Sequence, residues 1–471
     1  MRVALLACVI ALIATAPRPA AQGRAERPNV IVILADDMGY GDLGSYGNPT
    51  IRTPHLDRLA AEGQRWTSFY AGGPVCSPSR AALLTGRLPV RSGVYGRENP
   101  TTGANSGPGV FGPSLPTGLP SSEVTIAEML KARGYATALI GKWHLGDRPE
   151  MLPSTQGFDL HFGLPYSNDM DPAPGLRVTR DMMLEPRSEY WAGRLLRNGE
   201  VVERPIQQET LTERLTDEAI RFVDANRRRP FFMLLAHPMP HVPLFRSKAF
   251  AGRSAAGVYG DVIEELDANV GRLIAALRRD GLDRRTLVVF TSDNGPWRVY
   301  DQQGGSAGPL RDGKASTWEG GYRVPGIFWA PGRVAPGTIR QIGAHLDLLP
   351  TIAALTGATR PTDRPLDGVD LLPTLQRGEP SARTTFGFWR NDELMAFRSG
   401  PWKAHWVTRG AYGRGEARVE HDPPKLYHLD IDPGEQFDVA ASHADVVARL
   451  TAEMQQYRAS IDMPPPLLPV R

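Results

Sequence analysis

The run Asn29-Val30-Ile31-Val32-Ile33-Leu34-Ala35 is apolar at every position after the first and rich in β-branched side chains. A strand with one wet face alternates apolar and polar residues. An unbroken run of this length instead predicts a strand buried on both faces, as in a parallel sheet covered by helices. The run stops at Asp36-Asp37. Three later segments repeat the design. Tyr135 to Ile140 leads into Gly141-Lys142-Trp143-His144, Pro230 to Ala236 into His237 and the turn Pro240-His241-Val242-Pro243, and Thr286 to Ser292 into Asp293-Asn294-Gly295.

Helical signals fill the intervals. Thr53 and Pro54 start a helix with Leu56 and Leu59 that Gly63 closes, and Thr125 and Glu128 have capping-box spacing ahead of Ile126, Met129 and Leu130, with Gly134 as the stop. Leu211 to Asn226 carries Leu215, Ile220, Phe222 and Val223 among charges, and Val262, Leu266, Val270, Leu273 and Leu277 form one apolar stripe ending by Gly281. Strands alternating with helices predict an α/β fold with a large, mostly parallel central sheet flanked by helices. Ligands of such sheets bind outside the carboxyl ends of the strands. Asp36, Asp37, Lys142, His144, His241, Asp293 and Asn294 all fall there.

Near Asp370-Leu371-Leu372-Pro373 the pattern changes. Short segments at Thr385 to Trp389, Leu394 to Arg398, Lys403 to Val407 and Leu426 to Leu429, then a helix from about Ser442 to Tyr457, predict a smaller α+β domain with an antiparallel sheet, followed by an irregular tail. The expected division is 27–379 for the larger domain and 380–471 for the smaller. Glu98 to Ser122, rich in Gly, Pro, Ser, Thr and Asn, reads as a long surface loop at the mouth of the site.

A formal charge of +3 over 471 residues is too small to imply a nucleic-acid or membrane surface, so any anion preference must be local. Met1-Arg2, the apolar run Val3 to Ala16 and small residues up to Ala21 read as an export signal, residues 1–21, too short to span a bilayer. The expected destination is the periplasm or the medium, and not the membrane. Cleavage would remove Cys8 and leave Cys76 as the one cysteine, which excludes an intramolecular disulfide.

Cys76 lies in Pro74-Val75-Cys76-Ser77-Pro78-Ser79-Arg80-Ala81-Ala82-Leu83-Leu84-Thr85-Gly86. Ser77 reads as an N-cap and Pro78 as the first helical residue, so a short helix is expected directly after the cysteine, ending near Gly86, with Arg80 presenting a forked cation to a tetrahedral anion. This segment closely resembles the signature of the type I sulfatases, formylglycine-dependent enzymes of the alkaline phosphatase superfamily. Gly134-Tyr135-Ala136-Thr137 with Gly141-Lys142-Trp143-His144-Leu145-Gly146 resembles the second signature of that family, and Gly313-Lys314-Ala315-Ser316-Thr317-Trp318-Glu319-Gly320-Gly321-Tyr322-Arg323-Val324-Pro325 a third. The likeness extends to Lys403-Ala404-His405-Trp406, Leu426-Tyr427 and Asp432-Pro433-Gly434-Glu435, and is greatest for the arylsulfatase A and N-acetylgalactosamine-6-sulfatase branch. Arg409 to His421 departs from the substrate-facing stretch of the animal enzymes.

The resemblance implies an alkaline phosphatase-like fold, sulfate ester hydrolysis, a sulfated carbohydrate as substrate and small aryl sulfates as surrogates. It implies that Cys76 is converted to formylglycine by a modifying enzyme that reads Cys76, Pro78 and Arg80. Four hard oxygens at two strand ends suit Ca²⁺ or Mg²⁺ rather than zinc. The family's match assigns Asp36, Asp37, Asp293, Asn294 and the modified Cys76 to one such cation, usually calcium. Further roles carry over by resemblance: Lys142 with the formylglycine oxygen and sulfate, His144 as base on the formylglycine hydroxyl, His241 facing the bridging oxygen, Lys314 as sulfate ligand and leaving-group acid, and Ser167 of Tyr166-Ser167-Asn168-Asp169 reaching the sulfate. Glu319 and Arg323 are expected to support the loop as an ion pair, and His237 to pack. A site at the sheet edge suggests that Asp293→Ala would spare the fold. The rival readings are a phosphodiesterase or phosphonate monoester hydrolase of the same superfamily, a silent binder of sulfated glycans, and an ordinary cysteine hydrolase.

Overall fold

The computed structural model describes residues 27–97, 109–413 and 415–468. The expected export signal and residues 98–108 of the expected loop lie outside them. Ten strands form one sheet: β1 Asn29–Ala35, β2 Gln64–Tyr70, β3 Ala136–Gly141, β4 Leu160–Gly163, β5 Leu195–Arg197, β6 Glu200–Glu203, β7 Phe231–Ala236, β8 Thr286–Ser292, β9 Arg323–Trp329 and β10 Gly337–Ala344. Their order is β10-β2-β9-β8-β1-β7-β3-β4-β5-β6. The four strands read as buried apolar runs stand side by side at its centre. β1 runs parallel to both β7 and β8, and β3 runs parallel to β7, so all four carboxyl ends open on one edge.

Every residue of β1 is buried because each face of the sheet has its own helical cover. Ile31 and Ile33 join the core formed with helices 54–62, 211–225 and 257–279, whereas Val30, Val32 and Leu34 join the core formed with helices 76–85, 126–131 and 348–356. At roughly 1.5–3 kcal/mol for each large side chain fully buried, this double burial outweighs any turn preference in the short connections. Thr125 caps its helix as expected, accepting from Glu128 N while Glu128 returns a carboxylate to Thr125 N.

The sheet is mixed, with β9 antiparallel to both β8 and β2. The sequence reading missed β2, β4, β5, β6, β9 and β10. β9 carries Pro325 and Gly326, which argue against a strand. The Tyr46 hydroxyl satisfies the Gly326 backbone at the register shift, donating to Gly326 O and accepting from Gly326 N, each at 2.9 Å.

A second sheet runs in the order β11 Thr385–Arg390, β12 Glu393–Ser399, β13 Trp402–Thr408 and β14 Val419–His428, all antiparallel. β14 begins seven residues earlier than expected. It pairs only with β13, and an edge strand tolerates Pro423 and Pro424. This small sheet packs on the end of the large one, where Tyr70 of β2 stacks on Phe386 at 4.7 Å and Tyr322 meets Phe388 edge-on at 5.2 Å. The described part of the tail, up to Leu468, has no regular structure but is tied down, with Leu467 N and Leu468 N donating to Gly93 O and Tyr95 O. No helix among the described residues is long and apolar enough to cross a membrane.

Candidate active site

Cys76 opens the helix Cys76–Thr85, which ends at Gly86 in the left-handed conformation. The helix starts two residues earlier than Ser77 and Pro78 suggested, with Val75 at the cap. The Ser77 hydroxyl is used elsewhere, donating to His144 O and accepting from Phe111 N. It thus ties the end of β3 and the segment after residue 108 to the cysteine. Val110 and Phe111 are buried beside the cysteine, whereas Ser114, Pro116, Ser121 and Ser122 of the same segment are exposed.

The Cys76 sulfur lies 3.5 Å from Asp36 Oδ1, 3.5 Å from Lys142 Nζ and 3.5 Å from Lys314 Nζ. Lys142 also reaches Asp36 Oδ2 and, at 3.1 Å, Ser167 Oγ, while Lys314 pairs with Asp37 Oδ2 at 2.7 Å. His241 Nε2 lies 3.6 Å from Asp37 Oδ2 and 3.3 Å from Ser167 Oγ. The structure therefore brings together the sequence-derived candidates Asp36, Asp37, Cys76, Lys142, Ser167, His241 and Lys314. His144 joins them through the Ser77 bond, and Arg80, Asp293 and Asn294 through the bonds described next.

Arg80 takes a different position from the one expected. Its fork does not face an open anion site. Nε and Nη2 donate to Asp293 Oδ2 at 3.0 and 2.9 Å, and Nη1 donates to Lys142 O at 2.7 Å. Asp293 Oδ1 accepts in turn from Asp37 N at 3.1 Å. Arg80 thus fixes two strand ends and a carboxylate relative to the nucleophile position. His237 is buried, and neither ring nitrogen has a hydrogen-bond partner among the described residues.

Burial sets the electrostatics. It pushes the Cys76 thiol well above its ordinary value, Asp293 adding to the shift, so an unmodified thiol here stays protonated. Burial alone would discharge Lys142 and Lys314, but Asp36 and Asp37 outweigh it and keep both lysines cationic. Burial, then Lys142, drives His144 well below the usual histidine range, and burial with Lys314 does the same to His241. His144 Nε2 contacts Phe111 O at 2.8 Å; a carbonyl only accepts, so Nε2 bears the proton and Nδ1 keeps a lone pair with no partner among the described residues. Asp37 and His144 are both held at positive φ, 63° and 62°, a cost that non-glycine residues sustain chiefly at functional sites.

Carboxylates, a thiol and an imidazole converge here as a group that could hold a metal ion. Asp36, Asp37, Cys76 and His241 each offer a ligand atom, and these atoms lie within 4.8 Å of one another. Asn294 Nδ2 donates to Asp37 Oδ1 at 2.7 Å and to Gly295 O at 2.9 Å, while Asn294 Oδ1 is buried beside the carboxylates with no partner among the described residues. His241 was not among the expected ligands. Asp293 was, but one of its oxygens is committed to Arg80.

The loop that carries Lys314 is held from behind by the small sheet. Lys403 Nζ donates to Glu319 Oε1 and Thr317 O at 2.9 Å and pairs with Glu435 at 3.0 Å, all fully buried. Glu319 also pairs with Arg323 at 3.3 Å, the ion pair expected from the sequence. Burial would raise the Glu319 pKa, but Lys403, Arg323 and Arg398 hold it at about 2, against a usual 4.5. Its stabilising contribution is therefore complete above pH 4.5 and is lost as the pH falls from there towards 2. Glu319→Gln is expected to flatten this acid limb, on the order of 3 kcal/mol. Melting curves of both proteins between neutral pH and pH 3 check this, and an unchanged acid limb would show that the carboxylate carries no such weight.

Comparison with known proteins adds an independent result. Residues 28–358 match the family model described as Sulfatase, and residues 381–469 match the C-terminal region of aryl-sulfatase. The chain is 42% identical to the arylsulfatase A of Homo sapiens over 469 residues, covering 93% of this chain and 89% of that one. It is 38% identical to the N-acetylgalactosamine-6-sulfatase of Rattus norvegicus, covering 94% and 87%. The crystal structure of Ps i-CgsB in complex with k-i-k-neocarrahexaose superposes with a TM-score of 0.74 at 30% identity, covering 92% of this chain and 93% of that one.

Proposed function

The chain belongs to the sulfatase family and is a sulfuric ester hydrolase, and from that premise we propose that its reaction is centred on Cys76, matured to formylglycine, beside one bound calcium ion. The observation that carries this reading is the Cys76 sulfur at 3.5 Å from one carboxylate and two ammonium groups, all buried at the carboxyl edge of the sheet. A sulfuryl group there would meet two fixed positive charges in a dry, low-dielectric setting, where preorganised charge is most effective.

Formylglycine would supply a hydrated aldehyde, with one hydroxyl as nucleophile and a second that allows the residue to be regenerated. Lys142 and Lys314 neutralise the sulfuryl oxygens. Ser167 orients Lys142 and His241 by hydrogen bonds. His241 and Lys314 face the leaving oxygen, and the free Nδ1 of His144 accepts a proton. Asp36, Asp37, Asp293 and Asn294 would hold the cation, whose two positive charges turn a balanced cluster of three carboxylates and three cations into an anion site. Arg80 positions Asp293.

We assign the substrate to the sulfated carbohydrates, a reading supported by the names of the N-acetylgalactosamine-6-sulfatase relative and of the neocarrahexaose complex. We read 27–379 as the catalytic unit and 380–471 as a smaller one, with export directed by residues 1–21. Cys76, Pro78 and Arg80 are buried, so a modifying enzyme that reads them must act before the chain folds.

Two measurements test the proposal together. In a preparation active on sulfate esters, mass analysis of the peptide spanning Cys76 is expected to show the aldehyde, and a panel of matched esters should show sulfate released in preference to phosphate or phosphonate. An intact thiol at full activity would defeat the formylglycine assignment. Turnover confined to phosphorus esters would favour the phosphonate hydrolase reading.

A further inference from the structure

Three residues past Asn294, Trp297 leaves its indole half-buried at the edge of the charged cluster. Its ring centre lies 5.3 Å from the His241 imidazole, 4.9 Å from Tyr300 and 6.0 Å from Tyr412, and Lys314 Nζ sits 4.6 Å above it. Tyr412 and Met170 pack against the small cluster of Val75, Cys76, Val110 and Ala315. Aromatic rings from two remote loops, set edge-on or tilted to one another, thus form a half-buried wall beside the nucleophile position. Two buried polar atoms belong to this wall or lie close to it. Trp297 Nε1 and Asp169 Oδ1 have no hydrogen-bond partner among the described residues. Asp169 stands where its charge reaches both Tyr300 and His241. An unmet donor and an unmet acceptor near half-open aromatic faces are costly unless a ligand completes them.

We propose that Trp297, Tyr300 and Tyr412 form the platform of a leaving-group subsite, with Asp169 accepting a hydroxyl, and that the alcohol part of the ester is a pyranose ring. The proposal rests on the sulfatase reading above. A pyranose presents a C–H face to an aromatic wall and hydroxyls at its rim, so it can meet both the face and the orphaned polar atoms. An aryl ring offers the face alone, and a short alkyl group offers neither. Tyr412 lies in the stretch Arg409 to His421, which departs from the animal enzymes, so the platform would be a specificity feature of this chain.

The test compares kcat/KM on three esters of equal charge, a methyl pyranoside 6-sulfate, phenyl sulfate and methyl sulfate, with inorganic sulfate as a competitive inhibitor. The proteins are the mature enzyme and its Trp297→Ala, Trp297→Phe, Tyr412→Ala and Asp169→Ala variants. Trp297→Ala is expected to lower kcat/KM for the pyranoside roughly 10–100-fold more than for methyl sulfate, mainly through KM, at about tenfold for each 1.4 kcal/mol of lost contact. Trp297→Phe, which keeps a ring, should fall between, and Asp169→Ala should penalise the pyranoside over phenyl sulfate. Inhibition by inorganic sulfate should stay within about twofold in all four, well below 1.4 kcal/mol. Equal losses on all three esters, or weakened sulfate inhibition, would overturn the platform and show Trp297 to be a support for Lys314. A larger loss on phenyl sulfate than on the pyranoside would overturn the assignment of a sugar. A wild-type enzyme inert on all three esters while carrying the modified Cys76 would defeat the sulfatase reading beneath the proposal.

Discussion

Cys76→Ala is expected to abolish sulfate release, a loss on the order of 10⁶-fold if this residue supplies the nucleophile, and to leave the fold nearly intact. The two halves of that expectation have separate causes. The catalytic loss follows from position: the Cys76 sulfur lies 3.5 Å from Asp36, Lys142 and Lys314 together. The small structural cost follows from charge, because neither the buried thiol nor the hydrated aldehyde proposed to replace it carries a charge, and its removal strands no ion. Lys142 keeps Asp36 and Lys314 keeps Asp37. What remains is a methyl-sized void, worth about 1 kcal/mol. Sulfate release and thermal melting, measured on the same preparation, decide it. A variant that melts as the parent does and still turns over would move the nucleophile elsewhere. Cys76→Ser separates the chemistry further, since a serine has one hydroxyl where the proposed reaction needs two, and repeated turnover by that variant would contradict the mechanism.

The centre of the fold and most of the site were legible in the sequence for one reason. Strands buried on both faces cannot hide their apolar runs, and each of the four central runs ended in residues with evident chemistry. Side-by-side parallel pairing then placed those residues together without further information. Where a strand's residues serve other needs, the signal fades. β9 tolerates Pro325 and Gly326 because Tyr46, 280 residues away, completes the backbone bonds of Gly326. The direction of Arg80 was equally hidden. Its spacing from Cys76 suggested a cation facing the substrate, whereas its partner Asp293 lies 213 residues further on and becomes its neighbour only through tertiary structure. Trp297, in a loop of glycine and polar residues, carried no local signal at all.

That pairing changes what removal of Asp293 should do. A carboxylate at a sheet edge looks dispensable to the fold, but this one neutralises a guanidinium that is itself buried, with Asp36 at 3.6 Å as the remaining acidic partner. Asp293→Ala is therefore expected to lower stability by about 3–5 kcal/mol, as for breaking a buried ion pair, and turnover by roughly 10³-fold. Loss of bound calcium in that variant would be ambiguous, since a disturbed fold could cause it. Asn294→Ala removes the ambiguity. Its amide gives up two hydrogen bonds, to Asp37 Oδ1 and Gly295 O, about 1 kcal/mol each, and its Oδ1 has no partner among the described residues to lose. If that oxygen is a ligand, calcium affinity should fall by at least the roughly 10–100-fold typical of disturbing even an outer-shell group. Equilibrium dialysis reads this directly, and so does the melting temperature, which added calcium should raise in the parent but not in the variant. A variant that keeps the parent's calcium content and thermal response would show that the cation is held by the Asp36, Asp37 and His241 side without Asn294, and that the orphaned oxygen serves the substrate instead.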